Sequence, residues 1–300
     1  MRVFVTGATG VIGRRVVPLL LERGHQVTAV ARAAAARAEL QHRSATALDV
    51  SLFDARALTA AVADHDVVIN LATHMPPSTA RMFVPGAWRE NDRIRRVGSA
   101  NLVTAALATR VQRLIQESYA PIYESGGDAW VDENAPVRPA RYNRTVLDAE
   151  RAVRRFADAG RTGVVLRFAD FYGPDARHLK EVLGMMRHGW APLPGRAEAF
   201  VSSVSHDDAA AAVIAALDLP SGIYNVADDC PLTHRAFVDA LADAAHIAHP
   251  RLPPTWLAIL GGSLARLLSR SLRVSNRKLR DASSWAPRYP SVREGFPAAV

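Results

Sequence analysis

MRVFVTGATGVIG, residues 1–13, opens on a short apolar run, Arg2 to Val5, that lacks helical spacing and suits a buried strand. Gly7, Gly10 and Gly13 follow, and beyond them Val16 to Leu21 is apolar at helical density. A strand that turns on glycines into a helix N-terminus is a phosphate-binding device. The glycines let backbone approach a pyrophosphate, while unpaired N–H groups and the helix dipole favour its charge. The spacing is G-x-x-G-x-x-G, not the G-x-G-x-x-G of the dinucleotide fingerprint. The strand before and the helix after therefore carry the assignment of a nucleotide site.

Working outward, the first helix spans Arg14 to Arg23 and ends at Gly24, and the second strand is Gln26 to Ala31. In a dinucleotide fold the end of this strand meets the adenosine ribose. An acid there bonds the 2′-hydroxyl, whereas an arginine accommodates a 2′-phosphate. The chain reads Ala31-Arg32, with no carboxylate until Glu39. Arg32 thus points to NADP(H) over NAD(H), with Arg14 or Arg37 as second contacts. Further strands fall at Ala45 to Leu48, Val67 to Leu71, Arg113 to Gln116, Gly163 to Arg167 and Ile223 to Ala227, with a long helix over Trp88 to Ala108. This alternation implies an α/β fold with a doubly wound parallel sheet.

The motif TGATGVIG closely resembles the T-G-x-x-G-x-x-G of the short-chain dehydrogenase/reductase superfamily, in its extended, NAD-dependent epimerase/dehydratase-like branch. NLAT after the fourth strand, FADFYGP after the sixth, VSHDD at 204–208 and a C-terminal tryptophan-proline turn extend the likeness over almost the whole chain. The resemblance implies a Rossmann domain, mainly 1–170, and a smaller, mostly helical substrate-binding subdomain, mainly 171–300. Segments around 201–228 would complete the sheet. It places Gly7, Thr9, Gly10, Val11, Ile12 and Gly13 at the cofactor pyrophosphate and Asp49 and Val50 at the adenine. Leu71, Ala72 and Thr73 would lie beneath the cofactor, and Phe168 beside the nicotinamide. It also implies a homodimer.

The family's catalytic set is a serine or threonine, a tyrosine, and a lysine four residues beyond the tyrosine. The lysine ammonium lowers the phenol's pKa towards neutrality. Counting back from Glu150, which matches the family's downstream glutamate, Tyr142 falls on the tyrosine and Val146 on the lysine. Position i+4 on a helix keeps both on one face, so the expected geometry survives while the ammonium is gone. Upstream, ESYAPIYES registers Ser118 on the first serine and Tyr119 on the catalytic one. Three readings follow. Tyr142 acts as proton donor, helped by Tyr119, Arg141, Arg144 or His206, and the enzyme reduces a carbonyl or imine. Alternatively the site runs non-redox or epimerase-like chemistry on Asp170, His206 or Glu117. In the third, the chain binds NADP(H) as a sensor or interaction protein.

Composition narrows the rest. The formal charge is +8, but all but two of the 37 basic residues are arginine, the exceptions being Lys180 and Lys278. These arginines are scattered, and no nucleic-acid motif accompanies them. Cys230 is the single cysteine, which excludes an intrachain disulfide and a cysteine metal cluster. His74, His178 and His188 lack ligand spacing, so no metal is expected. The apolar stretch from Trp256 to Leu268 holds two glycines and Arg266 and is too short to span a bilayer; a core helix over Pro253 to Arg270 is expected instead. Met1 runs almost directly into a strand, without a signal-peptide pattern. The expectation is a cytoplasmic enzyme acting on a small molecule, without nucleic-acid or membrane partners.

Overall fold

The computed structural model describes the chain except residues 192–195, 255–264 and 266–268. Seven strands build one parallel sheet: β1 (Arg2–Thr6), β2 (Gln26–Val30), β3 (Thr46–Leu48), β4 (Val67–Asn70), β5 (Arg113–Tyr119), β6 (Thr162–Phe168) and β7 (Gly222–Val226). Their spatial order is β3-β2-β1-β4-β5-β6-β7. The order reverses between β1 and β4, and the crevice outside their C-terminal ends is where open α/β sheets take ligands.

The strands read as nearly unbroken apolar runs because both faces of the sheet are covered. Val3 and Val5 of β1 join a core with Val16, Val17 and Leu20 of α1 (Gly13–Glu22) and with Val213 of α7 (His206–Ala215). Phe4 points the other way, into a core with Leu58 and Val62 of α3 (Ala55–Val62), Leu102 of α4 and Phe156 of α5 (Val146–Asp158). Helix α4 is continuous through Arg89–Arg93, a π-helical turn at Ile94–Gly98, and Ser99–Leu107; α2 is Ala34–His42. A third core joins α6 (Arg177–Met186) and α8 (His234–Ala244) to Phe296.

Several boundaries differ from the sequence expectation for identifiable reasons. β5 runs on to Tyr119 because Ser118 and Tyr119 keep register with Arg167 and Phe168. α7 starts at His206, since Ser205 is its N-cap and accepts from the Asp208 N–H at 3.0 Å. Asp207 and Asp208 sit in its first turn. Tyr142 is not on a helix: 141–145 form turns held by i to i−3 bonds, such as Asn143 N–H to Ala140 O at 3.2 Å, and α5 begins at Val146. Contacts on both sides hold this segment, the Tyr142 ring on Trp88 and the Thr145 hydroxyl donating to Asp92 at 2.8 Å. The core helix expected over 253–270 falls for the most part outside the described residues. Among the described residues no helix is long and apolar enough to cross a membrane.

Candidate active site

The turn after β1 is built by glycine. Gly7 has φ +69°, and a Cβ there would lie 2.3 Å from the carbonyl oxygen of Leu71. A Cβ on Gly13 would lie 2.2 Å from the Gly7 carbonyl, so α1 can start only where it does if this residue is glycine. Thr9, Gly10 and Val11 are exposed on the loop, and Ile12 precedes the helix without any side-chain cap. The Arg14 N–H bonds to the Gly10 carbonyl at 3.0 Å and the Arg15 N–H to the Ile12 carbonyl at 2.9 Å, while among the described residues the N–H groups of Val11, Ile12 and Gly13 have no acceptor, which suits a pyrophosphate. Leu71 is buried under the loop, Ala72 half-buried and Thr73 exposed. Asn70 ties the strand ends together: it accepts from the Thr6 hydroxyl at 2.5 Å and donates to Gln116 at 2.8 Å and Ser99 at 3.2 Å.

At the adenosine end, Arg37 donates to the Arg32 carbonyl at 2.5 Å and to Asp49 at 3.1 Å, above the buried Val50. Arg14 is engaged by Asp175, and Arg15 bridges Asp175 and Asp207 at 2.8 and 2.6 Å. Of the three arginines considered for a 2′-phosphate, Arg32 alone is exposed with its guanidinium unengaged among the described residues.

Strand alternation at the end of β5 divides the expected catalytic residues. Ser118 is 1 % exposed and its hydroxyl donates to Glu150 at 2.6 Å. Glu150 also takes a bidentate pair from Arg167, at 2.8 and 2.7 Å. Ser118, expected in the catalytic set, is thus part of a buried network between β5, α5 and β6. The ring of Phe168, the residue expected beside the nicotinamide, is 2 % exposed and packs against Phe171.

Tyr119 faces the other way. Its hydroxyl donates to Asp170 at 2.8 Å, and the neighbouring Tyr142 has its ring 4.6 Å from Trp88. Burial raises the Tyr119 phenol well above its ordinary value, and the nearby Asp170 adds to this. Burial and Asp170 raise Tyr142 too, opposed by the guanidinium groups of Arg95 and Arg270. Burial also lifts the Asp170 carboxyl above the ordinary carboxylate value. Both phenols are thus held protonated at neutral pH, able to donate and poor as bases.

The cations beside Tyr142 are not those expected. Arg141 and Arg144 are exposed. Arg95, buried on the π-helical turn, pairs with Glu117 at 3.2 Å. Helical spacing from Asn91 through Arg95 to Ser99 was the signal that could have put Arg95 on the buried face of α4. Val146 is 1 % exposed and closed off in the core. His206 is also buried; burial and Arg15 lower its pKa to about 4, so it is neutral at pH 7.

A profile of the NAD dependent epimerase/dehydratase family matches residues 3–227. The chain is 33% identical to a 3-diazoavenalumate denitrifying reductase from a Streptomyces species, with 99% of each chain covered. It is 25% identical to a 2-alkyl-3-oxoalkanoate reductase of Shewanella oneidensis, over 92% of this chain and 73% of that one. Among solved structures, a human epimerase family protein with NADPH superposes with a TM-score of 0.82 at 21% identity, covering 100% of this chain and 99% of that one. Thermus thermophilus UDP-glucose 4-epimerase with NAD superposes at 0.78 with 25% identity, covering 100% and 97%.

Proposed function

The chain belongs to the NAD-dependent epimerase/dehydratase family, and from that premise we propose that it is an NADPH-dependent reductase of a small, largely apolar carbonyl or imine compound. The nicotinamide, when bound, supplies the hydride. The glycine loop and the uncapped start of α1 hold the pyrophosphate, Asp49 and Val50 the adenine, and Arg32 the 2′-phosphate. Leu71, Ala72 and Thr73 form the floor beneath the cofactor. Tyr142 gives the proton to the substrate heteroatom as hydride arrives at carbon. That proton is restored through Tyr119 and Asp170, which lines a solvent-open cavity.

One observation carries the direction of the reaction. The Tyr119 hydroxyl rests on a buried carboxyl beside Tyr142, where the family places an ammonium four residues on. An ammonium would favour phenolate, a base for alcohol oxidation; a carboxyl favours the phenol, a donor for reduction. Tyr142→Phe is therefore expected to lower kcat for NADPH oxidation by roughly 10²- to 10⁴-fold, the span of a general acid. Full turnover by that variant on an identified substrate would reject Tyr142 as donor. The nucleotide released on denaturing the purified protein separates the neighbouring reading. A stoichiometric oxidised cofactor would favour an epimerase that recycles it, and an exchangeable site that prefers NADPH favours the reductase.

The 33%-identical relative supports a second reading, a reduction that releases nitrogen. A diazonium carbon or its terminal nitrogen is already electrophilic. Hydride plus loss of N2 turns R–N2⁺ into R–H with no alkoxide to protonate, a task that tolerates Val146 in place of lysine. Assaying NADPH oxidation on carbonyl and aryldiazonium compounds, with evolved N2 measured in parallel, decides between the two.

A further inference from the structure

Arg270 projects from the C-terminal part of the chain into the cleft. Its guanidinium donates to three backbone carbonyls, those of Pro121 at 3.3 Å, Tyr123 at 2.7 Å and Arg138 at 2.7 Å. Carbonyls orient a guanidinium without neutralising it. Nη1 makes two of these bonds and Nη2 the third, so of five N–H donors the Nε–H and one Nη2–H have no acceptor among the described residues. Nor does any carboxylate of the described residues pair with Arg270. Glu124, whose charge acts on it, is instead at 4.0 Å from Arg138.

Arg270 and Asp170 line the same small cleft, open to solvent, yet they form no ion pair. The walls between them are apolar: Ala120, Pro121, Phe200, Val201, Leu272 and Val274. Ser202, the other polar residue there, is spent on the backbone, donating to the Leu272 carbonyl and accepting from the Val274 N–H, each at 2.9 Å. The cavity thus has an acid hydrogen-bonded to Tyr119 at one place, apolar walls, and an uncompensated cation at another. Burial and the neighbouring Arg138 lower the Arg270 pKa, the signature of a guanidinium that would gain from an anion.

We propose that Arg270 anchors a carboxylate of the substrate, so that the cleft accepts a small apolar acid whose reducible group lies beside Tyr119, Tyr142 and Asp170. A planar carboxylate matches the two remaining N–H donors as a fork, which a neutral amide or ester of the same shape cannot do. The anchor rests on the reductase reading for its reacting end and on the geometry of Arg270 for its acid end.

The test uses the full chain saturated with NADP⁺ and two probes that fit apolar walls, cinnamate and cinnamamide, with binding followed by calorimetry. The acid is expected to bind at least about tenfold tighter than the amide, the scale of one charge-assisted fork. In Arg270→Gln the two should bind alike, and Arg270→Lys should keep part of the preference. Equal affinities in the wild-type chain, or no binding of either probe, overturn the anchor, as does an Arg270→Gln chain that keeps the preference. Because Arg270 ties three carbonyls, the glutamine variant could fail to fold. The wild-type contrast, repeated at rising salt where only acid binding should weaken, then decides alone. Failure to bind NADPH would instead sink the reductase reading, and the acid preference remains measurable in nucleotide-free protein.

Discussion

Tyr142 can be counted into place from Glu150, and so can the valine that replaces the family's lysine. Which groups act on Tyr142 could not be counted, because they come from elsewhere: Arg95 from α4, Tyr119 from β5, Asp170 from after β6, and Arg270 from near the C-terminus. With arginine so abundant, no single one stands out until burial selects it. Arg32 is the opposite case. Its position at the end of β2 was readable, and its guanidinium is left open while Arg37 and Arg14 are engaged by Asp49 and Asp175. Arg32→Ala is expected to weaken NADPH binding by about tenfold while sparing NADH, on the scale of one charged hydrogen bond. Titrating both nucleotides against the variant checks this, and equal losses would remove the 2′-phosphate assignment.

The decisive element is β5, whose last residues send successive side chains to opposite faces. Glu117 and Tyr119 go to the cleft side with Arg95 and Asp170, while Ser118 goes to Glu150 and Arg167. A one-residue shift of register would exchange these roles, so the pairing of Ser118 with Arg167 and Tyr119 with Phe168 fixes the chemistry as well as the sheet. The buried ion pair between α5 and β6 holds that register. Glu150→Ala would leave Arg167, 5 % exposed in its side chain, as a buried charge without a partner. The expected cost is about 3–5 kcal/mol in urea unfolding, with Glu150→Gln costing less. A loss under about 1 kcal/mol would show that the network is not what holds β5 to α5. Sequence reading placed six of the seven sheet strands within a residue or so of their observed ends but stopped β5 at Gln116, since polar Glu117 and Ser118 break the apolar run. It extended the Tyr142 segment as helix because only tertiary contacts, Trp88 and Asp92, hold it out of one.

Across the whole molecule, stability should depend on His206, packed where α1, α7 and the segment after β6 meet. Its pKa is about 4 when folded and near its ordinary 6.5 when unfolded. Between those values the unfolded chain binds the extra proton, so stability falls as pH drops through the window. The slope from this one group reaches about 1.4 kcal/mol per pH unit. Urea midpoints measured across the window for wild type and His206→Gln should diverge with that slope; parallel profiles would refute the assignment. The two-part organisation read from sequence is interleaved in space, because β7, from the later part, completes the sheet against β6. During synthesis this has a cost in time. When β6, with its buried run from Gly163 to Phe168, has left the ribosome, its outer edge stays bare until Gly222–Val226 also emerges. A nascent chain paused in that interval presents a long apolar strand edge to its neighbours. Translation speed over the intervening codons, and the chaperones that meet them, thus bear on yield as directly as any contact in the finished fold.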